Sequence, residues 1–264
     1  MSLSRALDAV GASWRASLLA STQYRGNFVL STLFSALWTA WSVLPLIVVF
    51  DHVESIKGWS PAEATLVMAW FVILRGVLEA VVQPNLTTLV ERVRSGTLDF
   101  VLLKPADPQL LVSFSSLEPG RLFDVPVGLG LVVWALDQMA YSPSLLDMAA
   151  AAALTVAGAA IIYALWLCAA ATSFWWVKVD SLTYLLGAVM DAGRWPGSVY
   201  RGAVRALFTF VFPIIVMTSA PPRALLGRLE ALHFFGCVAL AVAFAVGSRL
   251  FWRRAVASYT SASS

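Results

Sequence analysis

From residue 27 to residue 50 the chain carries no Asp, Glu, Lys or Arg. A bilayer core about 30 Å thick is crossed by a helix of about 20 apolar residues, so this run is long enough to span it. Five further windows are comparably apolar, at about 62–84, 122–141, 148–173, 204–220 and 233–251. All six are expected to be helices, because open strands leave backbone groups unsatisfied in lipid. The fourth is long enough to project from the bilayer, and the fifth is interrupted by Pro213. Composition agrees: 59% of residues are hydrophobic and 12% charged, against roughly 25% charged in a soluble domain. The expected fold is all-α and polytopic, one transmembrane domain over residues 1–264 with six spans.

The basic residues give this bundle an orientation. Segments 1–26, 85–121, 174–205 and 249–264 hold 3, 4, 4 and 3 Lys/Arg, 14 of the 18 in the chain. The opposite side holds only Lys57, Arg223 and Arg228, and Arg75 falls inside a span. Positive charge collects on the cytoplasmic side, which predicts cytoplasmic termini and an even number of spans. The first 26 residues lack the apolar core and small-residue site of a cleavable signal. They read as an amphipathic helix in the headgroup plane, with Leu3, Leu7, Val10, Trp14 and Leu18 on one face and Arg5, Asp8 and Arg15 opposite.

Several chemistries are excluded. There is no GxxxxGK[ST] loop, dinucleotide fingerprint, HExxH or GxSxG motif. Segments between spans reach only about 40 residues, too short for an attached nucleotide-binding domain. Cys168 and Cys237 fall in predicted spans and read as packing thiols. His52 and His233 are too far apart in sequence to imply a metal site. Charges inside the spans are sparse. Arg75 and Glu79 are four residues apart and share a helix face, which suits an intrahelical pair with a structural role or a part in a transport path. Asp124, at the end of span 3, is expected to be hydrated or paired with Arg121.

Between spans 2 and 3, Glu91 to Pro105 read ERVRSGTLDFVLLKP. Leu86, Leu89, Val90 and Val93 continue an apolar stripe out of the membrane, with Glu91, Arg92 and Arg94 turned away from it. Gly96 is placed to end that helix, Thr97 to cap a short turn over Leu98–Leu103, and Lys104-Pro105 to close it. The segment 174–205 interleaves Trp175, Trp176, Trp195 and Tyr200 with Lys178, Arg194, Arg201 and Arg205, the pattern of an elbow at the membrane–water boundary. In span 4, Ala149, Ala153, Ala157, Ala160 and Ala164 form a small-residue stripe suited to close helix packing.

The stretch ERVRSGTLDFVLLKPADPQ resembles the loop of type-2 ABC exporter permeases, in the branch of single-domain, six-span proteins with a GTLDxxLLKP core. Residues 194–227 resemble that branch's segment before and through span 5, and FWRRAVASYTSASS is similar to its basic ending. Trp195 stands where the branch often has Tyr, and Thr260 where it often has Ser. The resemblance implies a non-catalytic permease that pairs with a second copy or a sibling. It also implies two ABC ATPase subunits as partners, which bind ATP and Mg, so that this chain carries no cofactor. In such permeases the loop, here 85–121, holds the coupling helix. By resemblance Glu91, Arg92, Arg94, Gly96, Thr97, Leu98 and Asp99 fall in or beside it, the charges orienting an ATPase, Leu98 filling its groove and Gly96 setting the turn. Export across a bacterial inner membrane and a short re-entrant or capping element at Pro221-Pro222 follow from the same resemblance. The path is expected along spans 1, 2 and 5, whose Phe and Trp residues point to an apolar or amphipathic substrate. Lipid is the expected surrounding partner, and no nucleic-acid partner is implied. A gradient-driven carrier or channel, or a membrane-embedded enzyme using Asp124 and Glu79, are the competing classes.

Overall fold

A computed structural model describes residues 3–23, 25–176 and 180–259. Helices α1 (Leu3–Gln23) and α2 (Arg25–Phe50) open the chain. Span 2 runs unbroken from Pro61 to Arg94 as α3 (Pro61–Val77), a π-helical turn (Leu78–Val82) and α4 (Gln83–Arg94). Two short helices follow, α5 (Asp99–Leu102) and α6 (Pro108–Ser113), then α7 (Asp124–Gln138) and α8 (Leu145–Ala171). The last third comprises α9 (Asp180–Asp191), α10 (Gly202–Ala206), α11 (Ile214–Leu225) and α12 (Ala231–Ala257). Among the described residues the only β-type pairing is an isolated bridge between Ile56 and Trp59.

Span 2 is the hub. In its most apolar stretch 78% of residues are buried, against 11% in α12, so the other helices pack around α3. Its start is fixed by a capping box: the Ser60 hydroxyl accepts from the Glu63 N–H, and the Glu63 carboxylate accepts from the Ser60 N–H. At 34 residues the helix is roughly 51 Å long, so α4 projects well beyond the bilayer. Glycine sets the closest approach to α3. A Cβ on Gly128 of α7 would lie 2.5 Å from Ile73 Cγ1 and 2.9 Å from the Ala69 carbonyl oxygen.

Of the alanine stripe in α8, Ala157 and Ala164 are buried, whereas Ala149 and Ala153 are exposed. The close approach is instead made at Gly158, where a Cβ would sit 3.4 Å from the Met217 Cα. A smooth-sided, apolar helix has several faces able to bury small residues, and the fit of α11 selects among them.

The fifth traverse departs most from expectation. The helix expected over 204–220 is bent by 84° between Gly202–Val211 and Ile214–Leu225. Pro213 lacks the N–H that would continue the ladder. Gly202–Val211 and Ile214–Leu225 together are apolar enough for one broken span, and α9 before them is, like α11, 12 residues and roughly 18 Å long. The cleft that Tyr184 of α9 lines beside Arg94 extends to Asp191 beside Phe71, about a third of the way along span 2 from its Pro61 end. There Gly193 abuts Ile214 and Thr218 at the start of α11. Residues 192–213 are a folded excursion that separates α9 from α11 in the chain and carries α10. The 174–205 segment is therefore not a single boundary elbow. Trp175 and Trp176 are exposed beyond α8, but the Arg194 guanidinium carbon is 5.4 Å from the Phe71 ring centroid, deep in the bundle. Lys178 lies outside the described residues.

Pro221 and Pro222 are buried within α11. A turn, with Gly227 at φ 65°, leads directly into α12, so among the described residues no further helix lies between α11 and α12. Arg228 in this turn forms an ion pair with Glu63 at the head of span 2.

Candidate functional site

Two features concentrate polar chemistry: the loop that follows span 2, and a cleft behind it. In the loop, α4 ends as the glycine predicts. Gly96 adopts φ 69°, the Gly96 N–H donates to the Val93 carbonyl, and the Thr97 N–H donates to the Arg92 carbonyl. These are the paired bonds of a Schellman ending. Thr97 does not cap the next helix. That position belongs to Leu98, with no side-chain cap, and the Thr97 hydroxyl pairs with Ser95 at 2.9 Å. The Schellman turn consumes the residue that would otherwise have been free to cap.

The expected contact residues divide by exposure. Glu91, Arg94 and Thr97 are exposed, Arg92 and Asp99 are half-buried, and Leu98 is fully buried beside Val101. Leu98 anchors the loop from beneath, so it is not available to fill a partner's groove. The apolar groups that α5 does present are Phe100, 71% exposed, and Leu103, 82% exposed. Alternation within a four-residue helix decides which residues face out, and the sequence offered no signal for that phase.

The underside of the loop is held from four directions. Asn85, buried in α4, donates to the carbonyls of Val81 and Ser116 and accepts from the Ser116 N–H and the Ser115 hydroxyl. From α1, the Trp14 indole N–H donates to the Phe114 carbonyl at 2.9 Å, and the Ser17 hydroxyl accepts from the Leu117 N–H. Val10 and Trp14 are half-buried, while Asp8 and Arg15 are exposed, as an amphipathic helix requires. The side chains of Leu3, Arg5 and Leu7 lie outside the described residues.

From α12, Arg249 forks onto the Asp107 carboxylate and also donates to Gln109. Gln109 and Ser113 both meet the Tyr163 hydroxyl of α8, at 2.9 and 2.8 Å. The Arg249 hydrogen bonds hold the Asp107 carboxyl below its ordinary range. Beyond α12, burial pushes the Tyr259 phenol up, and the nearby Asp99 carboxylate adds to the effect.

The cleft lies between α2, span 2 and α9. Its two lobes, of about 690 and 710 Å³, share Trp38, Arg75, Glu79, Gln83 and Thr87. Arg75 and Glu79 pair as their spacing predicts, at 2.6 Å. Glu79 also accepts from Arg121 at 2.9 Å, and the Arg75 guanidinium carbon stands 4.9 Å from the Trp38 ring centroid. Glu79 lies within the π-helical turn, a local irregularity often found at working sites. Arg121 is therefore not the partner of Asp124. That carboxylate is buried and accepts from the hydroxyls of Ser35 at 2.6 Å and Thr39 at 2.8 Å, where it pins α7 to α2. Sequence reasoning missed Asp191, which lines the cleft and pairs with Arg194 at 2.9 Å.

Among the described residues no group of His, Cys, Asp or Glu is arranged to hold a metal. The arrangement is suited to gripping one macromolecular surface and admitting a solute beside a buried ion-pair cluster.

The family profile described as "ABC-2 family transporter protein" matches residues 36–263. No curated protein and no solved structure matches the chain. The profile match takes in the loop, the cleft and every traverse except the first turns of α2. Matched over more than four-fifths of its length and built wholly around apolar helices, this multi-pass chain belongs to the ABC-2 transporter family, as a membrane-spanning permease.

Proposed function

We propose that this permease is one half of the membrane unit of an ATP-driven exporter, working as a pair with a second permease and with separate ATPase subunits. The supporting observation is the asymmetry of the loop. Its outer side offers Phe100 and Leu103 among Glu91, Arg94 and Lys104, while its underside is tied to α1, α4, α8 and α12. Exposed apolar anchors ringed by charge suit a protein partner. The ties to other helices provide a route by which a push on the loop reaches the bundle. In this reading ATP and Mg reside on the ATPase, the loop faces the cytoplasm of a bacterial inner membrane, and the chain performs no covalent chemistry.

The cleft forms this chain's share of the translocation path. Its Trp38, Phe71 and Tyr184 rings lie beside the Arg75–Glu79–Arg121 cluster, which favours an amphipathic solute over a purely apolar one. The reading is tested by reconstituting the permease with its ATPase in lipid. Arg94→Glu and Phe100→Asp are expected to lower permease-dependent ATP hydrolysis at least about tenfold while membrane insertion is unchanged. Normal coupled turnover in both variants would sink the assignment of this loop.

A further inference from the structure

We infer that the cleft between the bent fifth segment and α12 is a binding site for a phospholipid with an anionic headgroup. It has a volume of about 830 Å³ and is separate from the central cleft, so the inference does not depend on the exporter reading. One wall is Gly202–Val211, the floor is α11, and the other wall is the first half of α12. The floor and walls are largely apolar or small, including Ile215, Val216, Phe210 and Leu240. Beside the opening, Leu232 is 80% and Phe235 66% exposed, so the face of α12 next to the cleft is one that meets acyl chains.

Two guanidinium groups, Arg205 and Arg223, line this apolar space, and no Asp or Glu lines it. Neither arginine forms an ion pair with a described residue. Arg228, a few residues further on, is neutralised by Glu63. The rim carboxylate Glu230 stands 3.4 Å from His233. Arg223 is half-buried and its guanidinium carbon lies 5.6 Å from the Trp59 ring centroid, which fixes the planar group in place. Arg205 is exposed and Arg223 half-buried, so two like charges meet at an open apolar cleft, where an anion between them would relieve their repulsion.

A phosphate suits the position because arginine presents a fork of donors matched to its oxygens. Basic pockets between transmembrane helices recognise lipid headgroups in this way. A volume of this size is in the range that encloses a small amphiphile, with an acyl chain along the apolar trough. The 84° bend opens the cleft. A straight fifth helix would carry Arg205 away from Arg223, since the two lie on opposite sides of Pro213. Charge complementarity and the lipid-exposed rim together select an anionic bilayer lipid as the occupant.

The test uses the purified full chain in mild detergent, titrated separately with phosphatidylglycerol and phosphatidylcholine and read by native mass spectrometry. Preferential retention of phosphatidylglycerol is expected. The double variant Arg205→Gln/Arg223→Gln should reduce that retention about tenfold, and Arg205→Lys/Arg223→Lys should keep most of it. Equal retention of the two lipids by the unmodified chain would overturn the inference. So would undiminished phosphatidylglycerol binding in the Gln pair, or a loss in the Lys pair as large as in the Gln pair. Should the Gln pair fail to fold, the comparison of the two lipids and the Lys pair still decide. In a background lacking Cys168 and Cys237, a Thr209→Cys chain that readily forms a disulfide-linked dimer would place a second copy in the cleft and overturn it as well.

Discussion

Single side chains in this bundle act mainly by setting how closely helices approach and where buried charge is compensated. Gly128 shows the first effect. Its missing Cβ leaves α7 room against the Ala69 carbonyl and Ile73, and the backbone oxygen cannot move aside as a flexible side chain could. Gly128→Ala is expected to destabilise the chain by about 1–3 kcal/mol through overpacking, seen as a lower melting temperature in detergent. Gly130→Ala, two residues along the same helix with nothing within 4 Å of its Cβ position, should melt like the parent, and an equal loss in both would contradict this packing. Asp124 shows the second effect. Its place near the end of span 3 suggests hydration or a pair with Arg121, but it is the shared acceptor of two buried hydroxyls on α2. Asp124→Ala leaves Ser35 and Thr39 to find other partners and removes a tie between helices, an expected loss of about 1–3 kcal/mol in the same melting experiment. Spacing within one helix made the Arg75–Glu79 pair legible in advance. Spacing carries no information about contacts between residues 85 or more positions apart, and Asp124 was misread for that reason.

At the scale of elements, the loop after span 2 was legible where its local rules are strict and opaque where they are not. Gly96 at a helix end has one favoured outcome, and its φ of 69° with the Schellman bonds is that outcome. Which side of a one-turn helix faces outward depends on what lies beneath it, so Leu98, expected to face a partner, is buried and Phe100 is exposed. The same dependence explains the Arg249–Asp107–Gln109–Tyr163 clasp, whose members come from three separate stretches of chain. Because the folded Asp107 carboxyl is held below its ordinary range, the charged clasp contributes at every pH above about 4. That contribution is lost only as the pH falls through the lowered folded value. Hydrogen exchange of residues 107–113 should therefore show no added protection or deprotection from this pair between pH 8 and pH 5, once the intrinsic rate is removed. Arg249→Gln should raise exchange there across the whole range. A step in protection near neutral pH would contradict the assignment.

For the whole molecule, the sequence revealed that the chain crosses a membrane repeatedly but not that its fifth apolar window is bent by 84°. Hydropathy ranks windows by how apolar they are, and residues 204–220 qualify. It cannot register that the segment between α9 and α11 folds back onto α11, because that depends on Gly193 and Gly197 seating against Ile214 and Ile215. Irregular backbone at this depth is tolerable only where protein covers it, and here the Gly197 N–H finds the Ser219 hydroxyl at 3.1 Å. The charge tally changes with it. Arg194, counted among the basic loops, sits against Phe71, and Arg205 shares a cleft with Arg223. The two descriptions of this region differ in a way that labelling can read. A boundary elbow over 174–205 would leave Ser198 open to water, whereas in the folded excursion its hydroxyl is buried. Ser198→Cys, nearly isosteric and placed in a chain lacking Cys168 and Cys237, should resist a membrane-impermeant maleimide from either side of the membrane. Ser95→Cys, exposed at the end of α4, should label from one side only. Protection of Ser198→Cys together with one-sided labelling of Ser95→Cys supports a discontinuous fifth traverse. Rapid labelling of both from the same side would return residues 192–201 to the surface and remove Arg194 from the interior of the bundle.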